Sequence, residues 1–303
     1  MAMRVLVTGA RGQLGTELRR CLEAMGAEVG SVPEEYRGVC ADFVDFDVLD
    51  VSDECAVRAW FSEHGPYDVV VNCAAATNVD GCEADEARAL RVNSLGARNL
   101  AVAVQAGGGK LVHVSTDYVF SGDDPRPRRE DDPACPVSAY GRSKWAGELL
   151  ARDACERTFV VRTAWLYGYV GRNFVKTVLR LAREHGVVSV VADQYGSPTS
   201  ANDLACAILR LALTEAYGTY HCVNDGVCSW FDFACAVVDL AGVACEREPL
   251  TSDQYRERFP ESARRPAFSA LDAGRLEEVL GGKMRPWRDA LATYVGNLEK
   301  LGD

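Results

Sequence analysis

Tyr140 and Lys144 stand four residues apart in the string Tyr140-Gly-Arg-Ser-Lys144. On a helix that spacing puts a phenol and an ammonium on one face, a single turn apart. A free phenol has a pKa of about 10 and shuttles protons poorly at neutral pH until a nearby cation stabilises the phenolate. Lys144 can be that cation. Upstream, Thr116 in Ser115-Thr116-Asp117-Tyr118-Val119-Phe120 follows a short apolar run and can hydrogen-bond a reacting oxygen. Near the start, Gly9-Ala-Arg11-Gly12-Gln13-Leu14-Gly15 has the glycines that let a backbone approach a pyrophosphate, with a helix N-terminus to favour its charge. A nicotinamide held there, a proton from Tyr140 and a hydroxyl at Thr116 together would reduce a carbonyl. Each signal alone has a plainer reading: a glycine turn before a helix, capping residues at a strand end, a chance Tyr/Lys pair. Their order along the chain favours the chemical one.

These residues need elements to bring them together. Arg4 to Thr8, Asp68 to Asn72, Lys110 to Ser115 and Thr158 to Arg162 read as buried strands. Leu14, Leu18, Leu22 and Met25 recur with helical spacing, so a helix is predicted to begin just after Gly12. Repeated β-α units force parallel pairing with right-handed crossovers, and ligands then bind at the carboxyl ends of the strands. The fold expected is α/β, a doubly wound Rossmann-type parallel sheet with a smaller α/β substrate-binding lobe on the C-terminal side. Residues 1–163 would form the dinucleotide-binding part, joined by a later strand near 218–223. Residues 164–303 would form the discontinuous lobe, where aromatics such as Trp165, Tyr167 and Trp230 crowd polar residues. Gly122 to Pro136 and Ser252 to Pro266 read as mobile surface loops.

Composition narrows the classes of partner. A formal net charge of -11 works against a nucleic-acid groove, which needs clustered Lys and Arg. No run approaches the ~20 apolar residues that span a bilayer, and the chain enters a strand pattern at Met3 without an export signal. A soluble, cytoplasmic protein with neither membrane nor nucleic-acid partner is expected. Its 12 cysteines lack the close pairs of a zinc site and read as reduced, mostly buried thiols. His113 and His221 lie within apolar strands and read as core histidines.

Glycine loop, Thr after a strand, then Tyr-x-x-x-Lys resembles the extended short-chain dehydrogenase/reductase superfamily. More specifically, the runs NCAAATNVDGCE, VSTDYVFSG, YGRSKWAGE, VVRTAWLYG, RNFVKTVLRLA and DQYGSPTSANDLA are similar to those of the dTDP-4-dehydrorhamnose reductase family, from Met3 to about Trp287. The resemblance implies NADPH- or NADH-dependent reduction of the 4-keto group of dTDP-4-dehydro-L-rhamnose to dTDP-L-rhamnose, for cell-envelope polysaccharide. It implies Thr116, Tyr140 and Lys144 as the catalytic trio, with Thr77, Asp117, Tyr118, Val119, Trp165, Asn173 and Arg265 around the sugar nucleotide. Gly9, Gln13, Leu14, Asp50, Val51, Ala74 and Ala75 match cofactor-contacting positions, Asp50 and Val51 bordering the adenine. A sugar-nucleotide epimerase shares the fold and the Tyr/Lys pair but holds its NAD tightly. The non-catalytic relative that regulates methionine adenosyltransferase is a third reading, against which the retained trio speaks.

Two departures from the family pattern carry expectations of their own. After what reads as the second strand comes Val29-Gly-Ser-Val-Pro-Glu-Glu, with no acid placed to hold a ribose, so NADPH is expected to serve at least as well as NADH, aided by Arg11. Secondly, some members form a dimer around Mg²⁺ held by glutamates. Here Glu17 is kept, while the other two positions fall near Ala201-Asn202-Asp203 and Trp287-Arg288. A hard Mg²⁺ ion needs oxygen ligands, so no metal site is expected, and Glu17 reads as a first-turn acid favoured by the helix dipole. The chain should be a monomer, or a homodimer formed without metal.

Overall fold

The computed structural model describes residues 2–301. Its framework follows from alternation along short apolar strands. In β1 (Arg4–Thr8) Val5 and Val7 enter one apolar cluster while Leu6 enters the opposite one. Strand β3 (Val69–Asn72) divides in the same way, with Val70 alone on the second side. A strand apolar on both faces must be covered twice, the condition of a parallel sheet between two helical layers. With β2 (Cys40–Val44), β4 (Lys110–Thr116), β5 (Thr158–Thr163) and β6 (Gly218–His221) these strands form one six-stranded sheet, in the order β6-β5-β4-β3-β1-β2. All its pairings are parallel.

Helices α1 (Gln13–Ala24) and α6 (Ala201–Ala212) cover one face through Leu14, Leu18, Leu204 and Ile208. The other face is closed by α2 (Glu54–His64), α3 (Gly96–Gly107) and α4 (Ala139–Ala154), through Val57, Leu100 and Ala151. A separate cluster joins α5 (Phe174–His185), α7 (Trp230–Leu240) and α8 (Trp287–Leu301) around Phe233, Trp287 and Tyr294. Strands β2 and β3 flank β1 on opposite sides. The winding therefore reverses at β1, and the loops after β1 and β3 border the crevice where such sheets bind ligands.

Three local expectations are corrected. The second strand does not end near Val29. Residues 26–31 instead make a small hairpin, Gly26–Ala27 against Gly30–Ser31, and the strand beside β1 comes later, at Cys40–Val44. Ser252–Arg258, expected as loop, is a helix, because Thr251 and Gln254 cap it reciprocally. The Gly122 to Pro136 segment is tied to the body: Arg128 N donates to Ala270 O at 2.9 Å, and Glu130 accepts from His221 N at 3.1 Å.

Candidate active site

Gly9 adopts φ +64°, and a Cβ there would meet Ala74 N and Cys73 C at 2.7 Å. At Gly15 a Cβ would lie 2.4 Å from Gly9 O. Glycine is thus required at Gly9 for the loops after β1 and β3 to approach, and at Gly15 for α1 to pack on the turn that precedes it. Gly12 is the N-cap of α1 and supplies no side-chain bond, which leaves its first amides available to an anion. These features fit a dinucleotide pyrophosphate. Gln13 faces Asn173, whose Nδ2 donates to Gln13 Oε1 at 3.2 Å, while Leu14 is buried beneath the loop. Ala74 and Ala75 keep partial exposure at the end of β3. Val51 is buried against α3, and Asp50 accepts from Ser52 in a local turn.

The relocated β2 changes the electrostatics beside this loop. Asp45 follows β2 directly and accepts from Arg11 N at 2.9 Å. Burial opposes its charge, but the N–H groups of Arg11 and Phe46 and the Arg11 guanidinium hold it below the usual carboxylate range. Arg11 also pairs with Asp47 at 2.6 Å. The expectation that no acid closes the second strand is therefore overturned: Asp45 occupies that place.

Ser138 caps α4 by accepting from Gly141 N, so Tyr140, Lys144 and Glu148 recur along one side of the helix. Lys144 is 2% exposed and its Nζ donates to Val114 O at 2.7 Å. Burial lowers its pKa to about 8, opposed by Glu148 and Cys73. Desolvation pushes the Tyr140 phenol above its ordinary value, and its hydrogen bond with Thr116 works the other way. The phenol is then protonated at neutral pH, ready to donate. Thr116 Oγ1 accepts from Tyr118 N and donates to Asp117 Oδ1 at 2.9 Å. Burial raises the Asp117 carboxyl to about 6, against hydrogen bonds from Ser269 and Thr116. The Tyr118 ring meets Tyr140 edge-on at 5.5 Å.

The outer residues divide. Trp165, at φ +47°, stacks on Trp230 with ring centroids 3.5 Å apart. Thr77 is exposed in the loop after β3. Arg265 pairs with Asp80 at 3.7 Å beside a cavity of about 270 Å³ that Arg256, Arg264, Tyr255 and Gln194 also line. Asp123 lines it too and pairs with Arg264, while Arg256 pairs with Asp253, so an anion entering there would compete with carboxylates for all three guanidiniums. Val119 is fully buried in a core cluster, so its side chain faces away from any ligand. Asn173 caps α5 and donates to Gly168 O, holding Gln13 and the loop after β5 together.

Sequence reasoning missed Asn93. It sits in a π-helical turn, Arg91–Leu95, and its amide takes both the N–H and the C=O of Ala76, while Nδ2 also reaches Ser143 Oγ. It fastens the loop after β3 to α4. The available signal was an asparagine within a helical stretch, where it is unfavourable unless given a partner.

A family model described as the RmlD substrate binding domain matches residues 3–300. The chain is 41% identical over 299 residues to the dTDP-4-dehydrorhamnose reductase of Mycobacterium tuberculosis, covering 96% of this chain and 92% of that one. This chain belongs to the dTDP-4-dehydrorhamnose reductase family. The reductase of Clostridium acetobutylicum superposes with a TM-score of 0.89 at 39% identity, over 98% of this chain and 100% of that chain. That of Bacillus anthracis, in complex with NADP, gives 0.88 at 40%, with the same coverages.

Within that family the metal question turns on Glu17. It is 1% exposed, and the side chain opposite it is an amide: Asn202 Nδ2 donates to Glu17 Oε2 at 2.7 Å. Burial pushes the Glu17 carboxyl up. The reading of Glu17 as a first-turn acid is corrected, since it lies beyond that turn and faces α6. Arg285 pairs with Asp203 at 2.7 Å and Glu28 at 3.0 Å, and Arg288 lies over the Trp287 ring. Among the described residues no group of three or more His, Cys, Asp or Glu side chains could hold a metal.

Proposed function

We propose that the protein reduces the 4-keto group of dTDP-4-dehydro-L-rhamnose to dTDP-L-rhamnose with NADPH or NADH. The observation that carries this reading is the Tyr140-Lys144 face, packed against Thr116 at the carboxyl end of β4 and beside a glycine turn whose helix N-terminus is open to an anion. When bound, the reduced cofactor supplies hydride to the carbonyl carbon. Thr116 holds the carbonyl oxygen, and Tyr140 donates its proton to that oxygen as charge develops. Lys144, fixed by Val114 O, stabilises the phenolate left behind. Gly9, Arg11, Gly12, Gln13, Leu14, Gly15, Asp50, Val51, Ala74 and Ala75, together with Tyr140 and Lys144, are assigned to the cofactor. Thr77, Asp117, Tyr118, Trp165 and Arg265 are assigned to the sugar nucleotide, its diphosphate toward the arginine-lined cavity. Val119 and Asn173 would act through backbone and through Gln13. Residues 1–163 with β6 form the cofactor-binding part in this reading, and the remainder of 164–303 the substrate lobe. The test is loss of reduced-nicotinamide absorbance with freshly generated dTDP-4-dehydrorhamnose, set against other dTDP-4-keto sugars. An epimerase would instead retain NAD through gel filtration and consume no added cofactor.

Cofactor choice rests on Asp45 and Arg11. A carboxylate at this place favours ribose hydroxyls and repels a 2'-phosphate, which a guanidinium attracts. With both present, either cofactor should serve. Asp45→Ala is expected to raise the NADPH/NADH ratio of kcat/KM about tenfold, the equivalent of ~1.4 kcal/mol, and Arg11→Ala to lower it. Ratios unchanged in both variants would remove these residues from cofactor selection.

No helix among the described residues is long and apolar enough to cross a membrane, in keeping with the cytoplasmic location proposed here. The assembly proposed is a monomer, or a homodimer without metal, because the Asn202 amide donates where a ligand would have to accept. Mass by light scattering and initial rates should not respond to EDTA or to added Mg²⁺. A dimer that dissociates in EDTA and re-forms with Mg²⁺ would refute this.

A further inference from the structure

The helix face that carries Tyr140 and Lys144 continues to Glu148, which the reaction as described does not use. Glu148 is 1% exposed. Its Oε1 accepts from Ser115 Oγ at 2.5 Å, and its two oxygens take Arg162 Nε and Nη2, the latter at 2.7 Å. Arg162 is itself buried and reaches Glu130 O through Nη1. Three consecutive residues at the end of β4 thus meet three successive turns of α4: Ser115 meets Glu148, Val114 meets Lys144, and Thr116 meets Tyr140.

We propose that Glu148 is a positioning residue of the reduction site, which with Ser115 and Arg162 fixes α4 in register on β4 and supplies the buried negative charge that keeps the Lys144 ammonium charged. This rests on the assignment of Tyr140 and Lys144 to proton transfer. The groups that face Lys144 are few. From α4 there is Glu148, from the loop after β3 Cys73, and from β4 His113. Burial pushes the Cys73 thiol up to about 12, so it is neutral, and burial together with Lys144 holds His113 neutral. Among the described residues Glu148 is therefore the one carboxylate acting on this ammonium, whose burial would otherwise expel its proton. Arg162 satisfies the far side of that carboxylate. A simpler role for the pair is to hold β5 against α4, and the two roles differ in what they do to Lys144.

The test is the titration of Lys144, followed by the side-chain carbon resonance in protein grown on ¹³Cε-lysine. The chain has only five lysines, and Lys144→Met identifies the signal. No substrate is present, so the outcome is independent of which keto sugar is reduced. Wild type should titrate near 8. Glu148→Gln alone strands the Arg162 guanidinium, so the Glu148→Gln/Arg162→Gln pair is measured beside it, with thermal unfolding as the check on the fold. Folded protein of either kind should show the midpoint lowered by about one unit or more, and the alkaline limit of kcat/KM lowered with it. Glu148→Asp keeps the charge and should keep the midpoint while kcat falls. Ser115→Ala, which disturbs no charge, should also lower kcat with the midpoint unmoved. A Lys144 midpoint unchanged in the folded double variant overturns the electrostatic role. Should neither Gln variant fold, normal kcat in both Glu148→Asp and Ser115→Ala overturns the positioning role.

Discussion

Tyr140→Phe should lower kcat by roughly 10² to 10⁴, the usual worth of a general acid, while NADPH still binds. The reason lies in what the substitution spares. The ring stays, edge-on to Tyr118 at 5.5 Å, and the helix is started by Ser138, so neither packing nor the cap is touched. Lys144 keeps its bond to Val114 O. Only the hydroxyl is lost, and with it the proton for the carbonyl oxygen. Burst-free initial rates give kcat, and quenching of NADPH fluorescence gives cofactor affinity. Turnover within a few fold of wild type would remove Tyr140 from proton transfer. The wild-type pH profile carries a further sign. Lys144 titrates near 8, so its ammonium is present below that pH and kcat/KM should decline as the pH rises through it.

The parts of this molecule that were legible in the sequence are those whose signal is local. Val5, Leu6 and Val7 are apolar on both sides of a strand, and the glycines stand together where that strand turns into α1. The Tyr140-Lys144 spacing is meaningful because one helix carries both. Where the signal depended on pairing across the chain, it was lost. The 26–31 hairpin delays β2, so the acid after it was sought in the wrong place, and only the register of Cys40–Val44 on β1 identifies Asp45. Asn202 reads as an ordinary helical residue until the fold sets its amide against Glu17. Glu148 and Arg162 look like a surface helix acid and a strand-end base. Burying both is costly unless each satisfies the other, and that follows from β5 lying beside β4, which no short window contains.

Gly9→Ala should both unfold more easily and lose NADPH affinity by about 10²-fold or more, a size drawn from what misplacing a binding group costs. Two effects act on this one position. An L-residue at φ +64° costs roughly 1–2 kcal/mol. The new methyl would also meet Ala74 N and Cys73 C at 2.7 Å and Cys73 O at 2.8 Å. These are backbone atoms of the loop after β3, and they cannot swing aside as a side chain could. The loops after β1 and β3 must part, and they are the two walls of the crevice where the pyrophosphate is assigned. Gly38 separates the two effects. Its φ is +72°, close to that of Gly9, yet a Cβ there meets nothing within 4 Å. Gly38→Ala should therefore show the conformational cost alone, with NADPH affinity unchanged. The comparison needs urea unfolding and cofactor titration of both variants. If Gly9→Ala proves no worse than Gly38→Ala in stability and binds NADPH normally, the close approach of these loops does not form the cofactor site.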